Sequence, residues 1–82
     1  MINPHPQAAY LLFRSTTHVM RAERVLQAQG IDARLVPVPR WLSSQCGACI
    51  QLVDGDVDHA TAILTKQRVP LEYVHRNADS EK

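Results

Sequence analysis

Residues 8–35 read AAYLLFRSTTHVMRAERVLQAQGIDARL, and the order of patterns within this stretch decides the fold. Ala8 to Phe13 is a short continuous apolar run with two aromatics, the pattern of a central strand covered on at least one face. Ser15, Thr16 and Thr17 can each offer a hydroxyl to the open amides of a first helical turn. Val19, Ala22 and Leu26 then recur at helical spacing, which predicts a helix over 16–29. Gly30 closes it, because glycine enters the left-handed region without a steric penalty. Behind it Ile31, Ala33 and Leu35 alternate with Asp32 and Arg34, which predicts a second strand.

The second half of the chain has the same order of elements. Ala48, Ile50 and Leu52 alternate with Cys49, Gln51 and Val53, which predicts a strand over 48–53. Asp54-Gly55 reads as a turn and Asp56 as a helix cap, with Val57, Ala60, Ile63 and Leu64 as the buried stripe of a second helix. Val69 to His75 reads as the fourth strand, entered at Pro70, where a missing amide is tolerable. The order strand, helix, strand, strand, helix, strand is that of a ferredoxin-like βαββαβ chain: an α+β two-layer sandwich with a four-stranded antiparallel sheet. In that topology the first and second strands run parallel with the third between them. The long loop from Pro37 to Gly47 then lies at the end of the sheet where the first helix begins.

Pro4 and Pro6 make residues 1–7 a flexible amino-terminal arm, 8–76 a single domain, and 77–82 a polar tail. With 82 residues there is no room for a second core. Nine basic against eight acidic side chains leave a formal charge of +1, too little to gather nucleic acid or anionic lipid. No apolar run nears the roughly 20 residues of a membrane span, and no basic segment leads into an apolar one. The expectation is a cytoplasmic protein with no membrane and no nucleic-acid partner. Edge strands two and four each offer a margin for pairing as a homodimer.

Chemistry concentrates in Cys46-Gly47-Ala48-Cys49, the whole thiol inventory. A loop this short cannot staple an unfolded chain, so the pair asks for a chemical reading in a reducing compartment. Only a thiolate attacks sulfur, selenium or metal effectively, and an ordinary cysteine is mostly protonated at neutral pH. The amino end of the first helix, capped by Ser15 and Thr16, and the guanidinium of Arg40 both favour an anion at Cys46. Ser43 and Ser44 can donate hydroxyl hydrogens to that sulfur or to an atom bound to it, and Gly47 permits close backbone approach. His18 sits near the same helix start as a proton donor or as an ordinary surface residue, and Trp41 either seals the loop or offers a docking aromatic.

A structural zinc needs four ligands, and one Cys-x-x-Cys without a His-x-x-x-His supplies only two. No metal site is therefore expected in a single chain, although a dimer could complete one. His5, His59 and His75 show no common spacing, and Asp54, Asp56 and Asp58 fit turn and cap roles better than a calcium loop. No glycine-rich phosphate cradle, serine elbow or catalytic carboxylate pair occurs, which argues against an autonomous hydrolase or kinase.

Several of these residues together resemble a family, the small selenium or sulfur carrier-like domains. The resemblance runs through Phe13, then Ser15, Thr16 and His18, then Ala22, Glu23, Leu26 and Gly30-Ile31. It continues through Pro37, Pro39 and Arg40 into Ser43, Ser44, Cys46 and Gly47, covering roughly residues 10–53. It implies a carrier that accepts a sulfur or selenium atom on Cys46 as a persulfide or selenopersulfide, without a resident cofactor, and passes it between donor and acceptor proteins. Cys49 departs from the pattern and adds a resolving thiol, so catalytic roles are expected at Cys46 and Cys49, with Arg40, Ser43, Ser44, Gly47, Ser15, Thr16 and His18 as binding residues. Two rivals stand beside the carrier: a dithiol redox or sensor protein using Cys46 and Cys49, and a non-catalytic interaction module.

Overall fold

The computed structural model describes residues 8–39, 42 and 47–76. The predicted arm, the predicted tail, and Arg40, Trp41, Ser43, Ser44 and Cys46 of the long loop lie outside the described residues. The elements are β1 (Ala8–Leu12), α1 (Thr16–Ala28), β2 (Arg34–Pro37), β3 (Ala48–Val53), a 3-10 turn (Asp54–Asp56), α2 (Val57–Lys66) and β4 (Tyr73–Arg76). They form an α+β domain with one sheet in the order β2-β3-β1-β4, every neighbouring pair antiparallel. Because β1 and β2 are each antiparallel to β3, they run parallel to one another with β3 between them.

Alternation along the strands assigns the faces of the sheet. Ala9, Leu11, Phe13, Ile50 and Leu52 join Val19, Ala22 and Leu26 of α1 and Val57, Ala60 and Leu64 of α2 in one buried cluster. Both helices therefore cover the same side. Each large aliphatic or aromatic side chain buried there contributes about 1.5–3 kcal/mol. Ala8, Tyr10 and Leu12 of β1 point to the other side, with Cys49, Gln51 and Val53 of β3.

α1 begins and ends as its sequence predicts. Ser15 is the N-cap in an extended conformation, and its Oγ accepts the amide hydrogen of His18 at 3.3 Å. At the far end Gly30 takes φ +85°, its amide donates to the Gln27 carbonyl at 3.0 Å, and the Ile31 amide donates to the Leu26 carbonyl at 3.1 Å. This double closure is a Schellman motif, with Ile31 and Leu26 both buried as its apolar contact.

Three boundaries differ from expectation. The second strand starts at Arg34 rather than Ile31, because the Ile31 amide is used in closing α1 and the Ala33 amide donates to the Ile31 carbonyl at 2.8 Å. Ile31 and Ala33 still fill the core, but from a connector, whereas Leu35 is 38% exposed. The fourth strand starts at Tyr73 rather than Val69, since α2 closes as α1 does: Arg68 donates to Thr65 at 3.1 Å and Val69 to Leu64 at 2.9 Å. The left-handed residue in this closure is Arg68, at φ +61°. Asp56 occupies the N-cap position of α2 but makes no side-chain cap bond, its backbone being already helical after the 3-10 turn. Asp54 instead receives Arg76 through two bonds, Nε to Oδ1 at 2.7 Å and Nη2 to Oδ2 at 3.1 Å, which ties the end of β4 to the entrance of α2.

The outer margin of β2 is sheathed by α1. The Leu35 amide donates to Glu23 Oε2 at 3.2 Å, and Gln27 Nε2 donates to the Ala33 carbonyl at 2.8 Å. One amide of β2 and one carbonyl of the connector before it are thus occupied by side chains about two and three helical turns below the α1 start.

Candidate functional site

The strand register gathers several segments at one end of the sheet. Leu12 pairs with Cys49, Pro37 with Ala48, and Tyr73 with Leu12. The exit of β1 toward Ser15, the two feet of the long loop and the return of the chain from α2 all meet there. The Val38 amide donates to the Gly47 carbonyl at 3.2 Å, extending the β2–β3 ladder by one step and closing the loop at its base. Inside the loop the Leu42 amide donates to the Pro39 carbonyl at 2.9 Å.

Gly47 is exposed at φ +81°, and an added Cβ would meet nothing within 4 Å. Glycine is required there for its backbone conformation and not for space. Ser15 and Thr16 stand at the same end, and the first turn of α1 carries no acidic side chain. The positive end of its dipole is therefore not neutralised from within the helix. His18 is half-buried, and its Nδ1 is buried with no hydrogen-bond partner among the described residues. On the helix it shares a flank with Arg21 and Val25, and Arg21 Nη2 reaches the Gln67 carbonyl at 3.3 Å, so this flank faces the end of α2.

Cys49 is fully buried, on the helix-free side of the sheet, paired with Leu12 on one neighbour and Val36 on the other. Of the predicted site residues, Gly47, Ser15 and Thr16 are brought to one end, His18 lies on the α2 flank of that end, and Cys49 is enclosed in the sheet. Arg40, Ser43, Ser44 and Cys46 lie outside the described residues.

Two groupings were not anticipated from sequence. Arg34, Gln51, Tyr10 and His75 form one row across all four strands on the helix-free side, and Gln51 Nε2 donates to the Tyr10 hydroxyl at 3.2 Å. Alternation alone could have put Tyr10 and Gln51 on one face, but their adjacency needed the register. The second is Asp54 with Arg76, whose side-chain hydrogen bonds hold the Asp54 carboxyl below its ordinary value; desolvation opposes them, and the Arg76 charge adds a still smaller lowering. Among the described residues no three His, Cys, Asp or Glu side chains cluster as a metal site, and no helix is long and apolar enough to cross a membrane.

A profile of the family described as "Putative Se/S carrier protein-like" matches residues 8–76. The uncharacterized protein YtiA of Escherichia coli (strain K12) is 44% identical over 41 residues, which cover 50% of this chain and 48% of YtiA. The aligned part thus spans about half the length of that relative. No solved structure matches the chain.

Proposed function

The chain belongs to the Se/S carrier protein-like family, and from that premise we propose that it accepts a sulfur or selenium atom on Cys46 and hands it to a partner protein. The observation that carries this reading is the meeting of the closed loop base, Val38 to Gly47, with the uncompensated amino end of α1 at one end of the sheet. Cys46 immediately precedes Gly47, and a thiolate or persulfide beside such a helix start is favoured over its protonated form. Arg40, Ser43 and Ser44 flank Cys46 in sequence and are proposed to hold the transferred atom, with His18 as a proton donor near the same end. The strand order and the antiparallel pairings support classing the domain with ferredoxin-like sandwiches. We place the protein in the reducing cytoplasm, with donor and acceptor proteins as its partners and no resident cofactor.

In the sulfur case the Cys46 thiolate attacks the outer sulfur of a donor persulfide, the donor S–S bond breaks, and the donor leaves as a thiolate. The acceptor thiolate then attacks the outer sulfur on Cys46, whose own thiolate is released, so neither step changes the total oxidation state. Direct hand-over of this kind needs nothing from Cys49. Resolution by Cys49 would release hydrosulfide or selenide and leave a Cys46–Cys49 disulfide for an external thiol to reduce, and the burial of Cys49 disfavours it.

The test is to incubate the protein with inorganic polysulfide and measure its intact mass. Addition of one sulfur, lost in Cys46→Ala and retained in Cys49→Ala, is expected. No mass gain in the wild type, or the same gain in wild type and Cys46→Ala, would remove the carrier reading.

A further inference from the structure

Apart from Glu23 and Arg24, which lie midway along α1, the described charges are segregated along the strand direction. At the end shared by the loop base and the α1 start stand Arg14, Arg21, Lys66 and Arg68, with Glu72 as the carboxylate among them, already 3.9 Å from Arg14. At the opposite end stand Asp32, Asp54, Asp56 and Asp58, with Arg34 and Arg76 paired to Asp32 and Asp54. Among the described residues, the near-neutral net charge of the sequence resolves into a positive loop end and a negative far end.

The positive end also contains a groove of about 490 Å³ behind the close of α2, lined by Leu64, Thr65, Arg68, Val69, Pro70 and Leu71. Arg68 is exposed and is the residue held at φ +61°. The helix ending does not demand an arginine: α1 finishes in the same closure with glycine in this position and no basic residue in its last turn. Arg68 therefore keeps a strained backbone where glycine would be relaxed, and what it retains is a cation over an apolar groove.

We propose that this groove is a docking surface for an acidic segment of a partner protein that carries an aliphatic or aromatic anchor. The anchor lies on Val69, Pro70 and Leu71, while Arg21, Lys66 and Arg68 face the carboxylates. A partner seated there stands at the same end of the sheet as the feet of the Cys46 loop, and the acidic far end repels it from the wrong orientation. The proposal depends on the carrier reading only for the purpose of docking; binding itself needs no chemistry at Cys46.

The probe is a fluorescein-labelled peptide of alternating glutamates and leucines, titrated into the full chain at low salt, with amide chemical shifts recorded in parallel. Shifts are expected at Thr65, Arg68, Val69 and Leu71, and affinity is expected to fall steeply with added salt. Arg68→Gly removes the cation at a position where glycine fits the backbone, and it should weaken binding about threefold; adding Lys66→Glu should bring the loss to about tenfold or more. Arg34→Ala, at the far end, should leave affinity unchanged. Absence of binding at millimolar peptide, or shifts away from the groove, or full affinity in Arg68→Gly, overturns the proposal. Persulfide loading of Arg68→Gly and peptide binding by Cys46→Ser separate failure of docking from failure of carriage.

Discussion

Replacing Arg68 by glycine should make the protein more stable although it removes a charged side chain. An L-residue held in the left-handed region costs about 1–2 kcal/mol, and glycine gives back about 0.4–1 kcal/mol through the larger freedom of its unfolded chain. The net gain is about 0.5–1 kcal/mol. Over 82 residues, a melting entropy of roughly 2.1 cal/mol/K per residue converts this to a rise of about 3–6 °C in Tm. The reciprocal change at the other helix end, Gly30→Ala, should cost a similar amount, and for conformational reasons alone, since the added methyl meets nothing within 4 Å. Differential scanning calorimetry and urea denaturation of both variants give the numbers. If Arg68→Gly melts at or below the wild-type temperature while Gly30→Ala is neutral, the reading of the two closures as equivalent is wrong.

Other consequences can be measured with the same preparations. Ser15→Ala removes the acceptor for the His18 amide and should lower stability by about 1 kcal/mol in urea denaturation, with Ser15→Asp restoring it. Asp54 has a lowered carboxyl pKa in the folded state, so its contribution is present above the ordinary carboxylate range and is lost as pH falls through the lowered value. Asp54→Asn should therefore flatten the acid limb of the stability curve and change nothing in its slope above neutrality. Cys49→Ala should cost about 1 kcal/mol of folding stability through lost packing, yet leave polysulfide loading intact. Gly47→Ala should destabilise by about 1 kcal/mol and be seen first as faster amide exchange at Val38, whose hydrogen bond closes the loop.

Local grammar carried the fold further than it carried the boundaries. β1 and β3 were readable because alternation assigns their faces whatever the surroundings, and α1 because Ser15 and Gly30 are residues whose chemistry suits only its two ends. Arg68 gave no such signal. An arginine in place of the expected glycine looks like ordinary chain, so Val69 was joined to the following strand when its amide in fact closes α2. Ile31 and Ala33 misled in another way, since burial from a connector and burial from a strand leave the same alternating trace. Asp56 has the right chemistry for a cap, but the preceding 3-10 turn sets its backbone helical, and Asp54 is claimed by a residue 22 positions away.

The candidate site was legible as a motif and less so as a place. Gly47, Ser15 and Thr16 come together because topology follows from element order. The neighbours of Cys49, Leu12 on one side and Val36 on the other, are set by a register that no short-range rule supplies. The charge polarity of the molecule was invisible for a related reason. A sum over the sequence cancels what the alternating directions of the elements pull apart.

Glu23 matters beyond the stability of one strand. The Leu35 amide is a donor that a neighbouring strand would otherwise accept from, and Glu23 already holds it, while Pro37 brings no amide at all. Pairing along this margin is thereby made costlier than pairing along β4, and truncating Glu23 to alanine is expected to narrow that difference.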